Sequence, residues 1–204
     1  MEFDPRQFAP AIERNRHLIL PILQRVLPSV GTVLEIGSGT GEHAVYFAQA
    51  LSGLNWQPSD TNPSALASIA AWIEHAGASN VAAPLALDVR APEWPLARVD
   101  ALVCINVIHY SPWASTPALL AGAARVLPAD GIVYLYGPYR RVGRHTAPSN
   151  EAFDAWLKCR DPDFGVRDIE AVEAEAAACG LRLDEVIAMP ANNFSLVLRR
   201  QRAG

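Results

Sequence analysis

The chain has 204 residues, enough for one well-buried domain and tight for a second. Half of the residues are hydrophobic and 19% are charged, which excludes a disordered chain. A formal net charge of −4 gives no bulk attraction to nucleic acid or an anionic membrane, and neither is expected as a partner. The basic cluster Leu198 to Arg202 reads as a solvated tail. Cys104, Cys159 and Cys179 form no C-x-x-C pair, which argues against a zinc site and for a reducing compartment. Acidic residues stand where a signal peptide needs a positive start, and the apolar run Leu18 to Leu23 is too short to cross a bilayer. A soluble, cytoplasmic protein is expected.

Residues 12–27 have helical periodicity around Pro21, so a kinked or two-part leading helix is predicted. "TVLEIG" (32–37) is an apolar run stopped by glycine, a buried strand, and "EHAVYFAQAL" (42–51) follows as a helix. "LNWQPSD" (54–60) is a second strand, and the helix over 64–77 has Asn62 or Ser64 for a cap and Gly77 as its stop. Strands are predicted at "VAAPLALDV" (81–89) and "DALVCINVI" (100–108), then a helix within 116–131 and a fifth strand, "IVYLYG" (132–137). "PYRRVGRHTAPSN" (138–150) has no period and reads as a polar loop. Helices over 151–160 and 168–180 precede two strands, 181–189 and 193–200, joined by "PANN" as an antiparallel hairpin. Five strand–helix units and a hairpin make a doubly wound α/β fold, with a seven-stranded, mostly parallel sheet carrying one antiparallel strand. The expected organisation is one domain, 1–204, with a leading helical segment (1–30) and an insertion after the fifth strand (138–165).

A glycine-rich turn between strand and helix aims backbone N–H groups and the positive helix end into a cleft. Here the turn reads E-x-G-x-G-x-G: Glu35, Gly37, Gly39, Gly41. The dinucleotide pattern G-x-G-x-x-G fails, because Glu42 occupies the third glycine's place, and no G-x-x-x-x-G-K is present.

With its apolar strand, this motif resembles the first motif of the class I S-adenosylmethionine-dependent methyltransferases. The resemblance implies a Rossmann-like fold and S-adenosyl-L-methionine as cofactor, with S-adenosyl-L-homocysteine as product. Gly37, Ser38, Gly39 and Gly41, with Glu35, would then cradle its amino-acid end. Asp60, 19 residues past Gly41, is similar to the acid that takes both ribose hydroxyls, a role suited to a two-oxygen acceptor. Asp88 is similar to the residue that meets the adenine amino group, and Asn106 to the one that closes the pocket. "ERN" (13–15), "WQPSD" (56–60), "NVIHYSPW" (106–113), "YGPY" (136–139), "SNEAFD" (149–154), "GVRD" (165–168) and "MPANN" (189–193) together resemble the methyltransferase-like protein 26 family, also filed as domain of unknown function 938. That likeness covers nearly the whole chain, adds Arg14 as a cofactor contact, and brings no substrate with it.

Ligands of open α/β sheets lie beyond the carboxyl ends of the strands. His109 there can accept a proton near neutral pH or hold its loop by hydrogen bonding. Tyr139 can offer a hydroxyl to substrate or cofactor, or simply pack. Tyr110, Trp113, Asn192 and Asn193 are candidates for an acceptor pocket, though aromatic packing and turn geometry explain them as well. Arg140, Arg141 and Arg144 suit an anionic acceptor or a solvated loop. No D/N/S-P-P-Y/F follows the fourth strand, Cys104 sits in an apolar run, and "YLYGPY" offers no acid for magnesium. Base methylation and metal dependence are therefore not expected. The resulting function is methyl transfer to a small-molecule or peptide-like acceptor; the alternatives are a non-catalytic adenosylmethionine binder and a nicotinamide oxidoreductase.

Overall fold

β1 (Gly31–Ile36) and β2 (Leu54–Asp60) pair in parallel, with Gly31 opposite Leu54 and Ile36 opposite Ser59. The structure, a computed structural model, describes residues 4–202. Residues 1–3 and 203–204, including the start of the expected leading segment, lie outside the described residues. Two compact units make up the chain: Met1–Asp88 with Val99–Val103, and Val89–Arg98 with Cys104–Gly204.

In the first unit α1 (Pro10–Val26) buries Ile12, Asn15, Ile19 and Leu23, a single helical stripe. Of the kinked or two-part alternatives the second is corrected, since one helix runs through Pro21; the proline lies on the exposed face, where the carbonyl it leaves without a donor is open to solvent. α2 (Glu42–Ala50) follows β1, and α3 (Pro63–Ala76) follows β2. α3 starts where predicted: the Asn62 side chain accepts from the Ser64 N–H at 2.9 Å, Pro63 is preset for the first turn, and left-handed Gly77 ends it. The predicted strand over 81–89 shrinks to β3 (Leu85–Ala86), preceded by one bridge between Val81 and Trp56. Pro84 has no N–H to give, and β3 ends the strand order, so a longer ladder has neither donor nor second neighbour. Val33, Leu34, Phe47, Trp56 and Ile69 form the buried centre.

β4 (Ala101–Ile105) is divided between the units, and the second continues with α4 (Ser115–Val126) and β5 (Ile132–Arg141). Here the polar-loop expectation is corrected. β5 runs four residues past Gly137, turns through Val142 (φ 50°) and Gly143 (φ 72°), and returns as β6 (Arg144–His145). Two successive left-handed residues suit a tight hairpin, and Gly143 accepts that conformation without a Cβ penalty. α5 (Pro148–Arg160), β7 (Arg167–Asp168) and α6 (Ile169–Ala178) lead to the hairpin of β8 (Leu181–Met189) and β9 (Asn193–Arg200). β9 is antiparallel to both β5 and β8, the expected reversed strand of the seven-strand path, and β6 adds a second short antiparallel pairing. The order is β3-β2-β1-β4-β5-β9-β8, with β6 and β7 as two-residue additions on β5. Tyr134, Leu119, Leu120, Leu157 and Leu196 anchor this unit's core.

Candidate functional site

In the first unit β1 opens into a bend containing three left-handed glycines, Gly37 (φ 64°), Gly39 (φ 57°) and Gly41 (φ 94°). A Cβ on Gly41 would stand 2.7 Å from Cα of Ile69, so only glycine lets α3 approach the bend. At Gly39 nothing lies within 4 Å of that position, leaving the backbone open. The bend is stitched to β2. The Ser38 N–H donates to the Ser59 carbonyl (2.8 Å), and the Ser59 N–H donates to Ser38 Oγ (3.2 Å). Glu35 Oε2 accepts from Ser38 Oγ and from the Trp56 indole, each at 3.0 Å. Burial raises the Glu35 pKa to about 7, against the pull of those two donors. Asp60 stands against the bend: Oδ2 accepts the Gly39 N–H (3.0 Å) and Oδ1 the Asn62 N–H (2.9 Å). Its remaining lone pairs are available to a further donor. Asp88 is half-buried just past β3.

Glu42 binds within the chain. Its Oε2 accepts from the Ala9 N–H (2.9 Å) and the Thr40 hydroxyl (3.0 Å). Ser68 Oγ donates to the Thr40 carbonyl (2.7 Å) and accepts from the Gln7 N–H (2.8 Å). The Trp72 indole donates to the Gln7 carbonyl at 2.9 Å. Of the "ERN" residues Arg14 is exposed, while Asn15 is buried with its Oδ1 2.8 Å from His43 Nε2. Burial, and Arg16 next, hold the His43 pKa down to about 3.

In the second unit Asn106 is left-handed (φ 64°), donates its N–H to the Tyr136 carbonyl at 2.8 Å and starts a short turn, Val107–His109. His109 is fully buried, and neither ring nitrogen has a partner among the described residues. Burial, with Arg167 second, drives its pKa down to about 3, so the ring is neutral at physiological pH. It packs edge-on against Tyr139 at 5.0 Å between centroids. Gly137 admits it: a Cβ there would collide with the imidazole. Tyr139 is equally buried, its hydroxyl without a partner among the described residues and its pKa pushed well up by burial. Tyr110 is exposed, and Trp113 carries the Arg167 guanidinium over its ring at 5.7 Å.

Several motifs whose roles the sequence left open act as clamps. Arg167 of "GVRD" donates to the carbonyls of Ile108 (3.0 Å), Ser111 (2.5 Å) and Asp163 (2.8 Å). Asp154 of "SNEAFD" accepts the Val166 N–H (2.7 Å) and Lys158 Nζ (2.6 Å). Buried Asn150 donates to the Asn192 carbonyl (2.9 Å), and the Asn192 amide donates to Ser149 Oγ (3.2 Å). Asn193 donates to the Pro190 carbonyl at 3.2 Å. Asn192 and Asn193 thus pin the hairpin turn, Asn192 in a left-handed conformation. Arg141 pairs with Glu170 (3.2 Å), and Arg144 is exposed. Among the described residues no three His, Cys, Asp or Glu are grouped to hold a metal ion, and no helix is long and apolar enough to cross a membrane.

The fold recurs in solved methyltransferases. The S-adenosylmethionine-dependent methyltransferase SibL superposes with a TM-score of 0.75 at 21% identity, over 94% of this chain and 56% of its own. CalO1, a methyltransferase of calicheamicin biosynthesis solved with S-adenosylhomocysteine bound, gives 0.72 at 23% identity, over 91% and 54%. An O-methyltransferase family protein from Burkholderia thailandensis gives 0.81 at 13% identity, over 95% and 58%. The chain therefore spans little more than half of each, and at these identities the likeness is one of fold: the class I methyltransferase fold. Residues 6–200 match the family described as "Protein of unknown function (DUF938)", and with nearly its whole length inside that match the chain belongs to the DUF938 family.

Proposed function

We propose that the chain is an S-adenosylmethionine-dependent methyltransferase acting on a small-molecule or peptide-like acceptor. The observation that carries this is Gly39: left-handed, open where a side chain would stand, and hydrogen-bonded through its N–H to Asp60. Such a bend fits the amino-acid end of a nucleoside cofactor, and a cationic sulfonium suits the carboxylate of Asp60, while buried Glu35 acts through Ser38. Glu35, Gly37, Ser38, Gly39 and Gly41 would hold the methionine portion, Asp60 the ribose and Asp88 the adenine. Asn106 and Arg14 join this set through the family resemblance alone. Bound there, the cofactor supplies an electrophilic methyl group. What the chain itself contributes is positioning: the Ser38–Glu35–Trp56 hydrogen bonds fix the bend before any ligand arrives. The three cysteines are free, which suits the cytoplasmic location we assign.

One observation favours a second reading, a binding protein without turnover. His109 and Tyr139, the expected catalytic groups, are both fully buried and leave no exposed proton acceptor between them. A nicotinamide cofactor fits less well, since the Glu42 carboxylate occupies the place of the third glycine. Calorimetric titration with S-adenosylmethionine, S-adenosylhomocysteine and NADH tests the cofactor. Heat with the first two supports the proposal, and heat with NADH alone overturns it. Release of S-adenosylhomocysteine in the presence of fractionated cell extract separates enzyme from binder.

A further inference from the structure

Four rings meet on the surface of the second unit. Tyr110, one residue past His109, stands edge-on to Phe153 (5.9 Å), Trp156 (6.2 Å) and Phe164 (6.4 Å). Phe153 and Trp156, three residues apart on α5, stack at 5.7 Å and 19°. Tyr110 and Trp156 remain 41% and 42% exposed, although large apolar rings in contact gain by leaving water. Arg160, one turn further along α5, lays its guanidinium over Trp156 at 4.1 Å. No carboxylate pairs with Arg160 among the described residues, whereas Arg141, Lys158, Arg182 and Arg199 each have an acidic partner. Stacking fixes the plane of the guanidinium and leaves its N–H edge free, the geometry in which arginine takes a carboxylate with two parallel hydrogen bonds.

We infer that Tyr110, Phe153, Trp156, Phe164 and Arg160 form a binding site for a planar aromatic acid. The rings take its flat face and Arg160 its carboxylate. The inference concerns the second unit alone and stands independently of the methyltransferase reading. Charge argues against a second copy of the chain as occupant, because a two-fold contact through this patch would bring Arg160 towards its own counterpart.

The test titrates the protein, by ligand-observed NMR, with 4-hydroxybenzoate, with benzyl alcohol (planar, neutral) and with cyclohexanecarboxylate (anionic, not planar). The acid should bind at least about tenfold tighter than either control, since only it satisfies both rings and guanidinium. Trp156→Ala should abolish binding. Arg160→Ala should bring the acid to within about twofold of benzyl alcohol, because only the charged hydrogen bonds are lost. Affinity for S-adenosylhomocysteine should stay unchanged in both variants, which also verifies that they fold. Equal binding of all three probes, or none at about 10 mM, a free energy too small for a built site, overturns the inference even where S-adenosylhomocysteine binds. Dimerisation that Trp156→Ala abolishes, read by light scattering, also overturns it. Selective acid binding in a protein that ignores S-adenosylhomocysteine would keep the site and remove the methyltransferase reading.

Discussion

Arg167 donates from Nε to the carbonyl of Ile108 at 3.0 Å, so a residue on the two-residue strand β7 holds the loop after β4 in place. Two more carbonyls, of Ser111 and Asp163, accept from its Nη2, and its guanidinium lies over the face of Trp113. Three backbone acceptors ask for a planar fork, which lysine lacks. Arg167→Ala should lower unfolding free energy by about 2–4 kcal/mol, and Arg167→Lys should recover less than half of that. Guanidinium melts check both, and stability equal to wild type would mean water replaces the clamp without cost.

Gly39 and Gly41 share a backbone sign and differ in surroundings, which separates conformational cost from collision. Gly39→Ala should cost about 1–2 kcal/mol of stability from its left-handed backbone alone. Gly41→Ala adds a contact of 2.7 Å with the backbone of Ile69 and should cost at least about 3 kcal/mol. In calorimetry Gly39→Ala should nevertheless weaken S-adenosylhomocysteine more than its stability loss suggests, because the new methyl occupies the open position. Unchanged affinity would place the ligand elsewhere.

Asp60 has two duties that a melt and a titration can tell apart. Removing its carboxylate frees the Gly39 and Asn62 N–H groups, so Asp60→Ala should melt earlier than wild type even without ligand. Loss of a charged acceptor for two hydroxyls should also weaken S-adenosylmethionine by about 1–3 kcal/mol. An earlier melt with unaltered affinity would assign Asp60 to the bend alone.

Three buried groups dominate the pH dependence of stability between about pH 5 and 6.5, above the range where Glu170, Asp4, Asp154 and Asp184, all lowered on folding, add their own loss on acidification. His43 and His109 are each lowered from 6.5 to about 3, so protonation favours the unfolded chain. Their contribution is complete above pH 6.5 and is lost as the pH falls toward 3. Glu35 runs the other way: raised from 4.5 to about 7, it contributes fully below 4.5 and loses that contribution as pH rises through 7. Between those ordinary values two histidines oppose one glutamate, so stability should fall on acidification by about 1.4 kcal/mol per pH unit. Replacing His109 by glutamine leaves one of each, and the slope in that window should vanish. Urea melts between about pH 5 and 6.5 decide, and an unchanged slope in the variant would show that His109 titrates normally.

The strands, helices and reversed β9 were legible because apolar runs and glycine stops are local signals. Asn62 and Gly77 announce both ends of α3 in the same way. The extension of β5 and its return as β6 were not, because Arg140, Arg141 and Arg144 give a ladder the look of a solvated loop. β3 was overread for the opposite reason: the apolar run outweighed Pro84, and the sequence does not say that β3 lies at the end of the strand order. In the site, the glycine bend follows from the local sequence, whereas Asp60 entered only through the methyltransferase resemblance, and its bond to the Gly39 N–H is visible only in the fold. The burial of His109 does not, because it depends on Gly137, 28 positions away, leaving room for a ring. Nor does spacing say that Arg167 of "GVRD" reaches back to Ile108.

The tie from Ala9 and Gln7 to Glu42 and Ser68 bears on how the chain tolerates trimming. A protein shortened to begin at Pro10 would keep every helix and strand, yet strip a carboxylate and a hydroxyl beside the glycine bend of the amides they now receive. Its entry segment is thus a splint for that bend, and Trp72, whose indole grips the Gln7 carbonyl, is a built-in fluorescent witness to whether the splint is on.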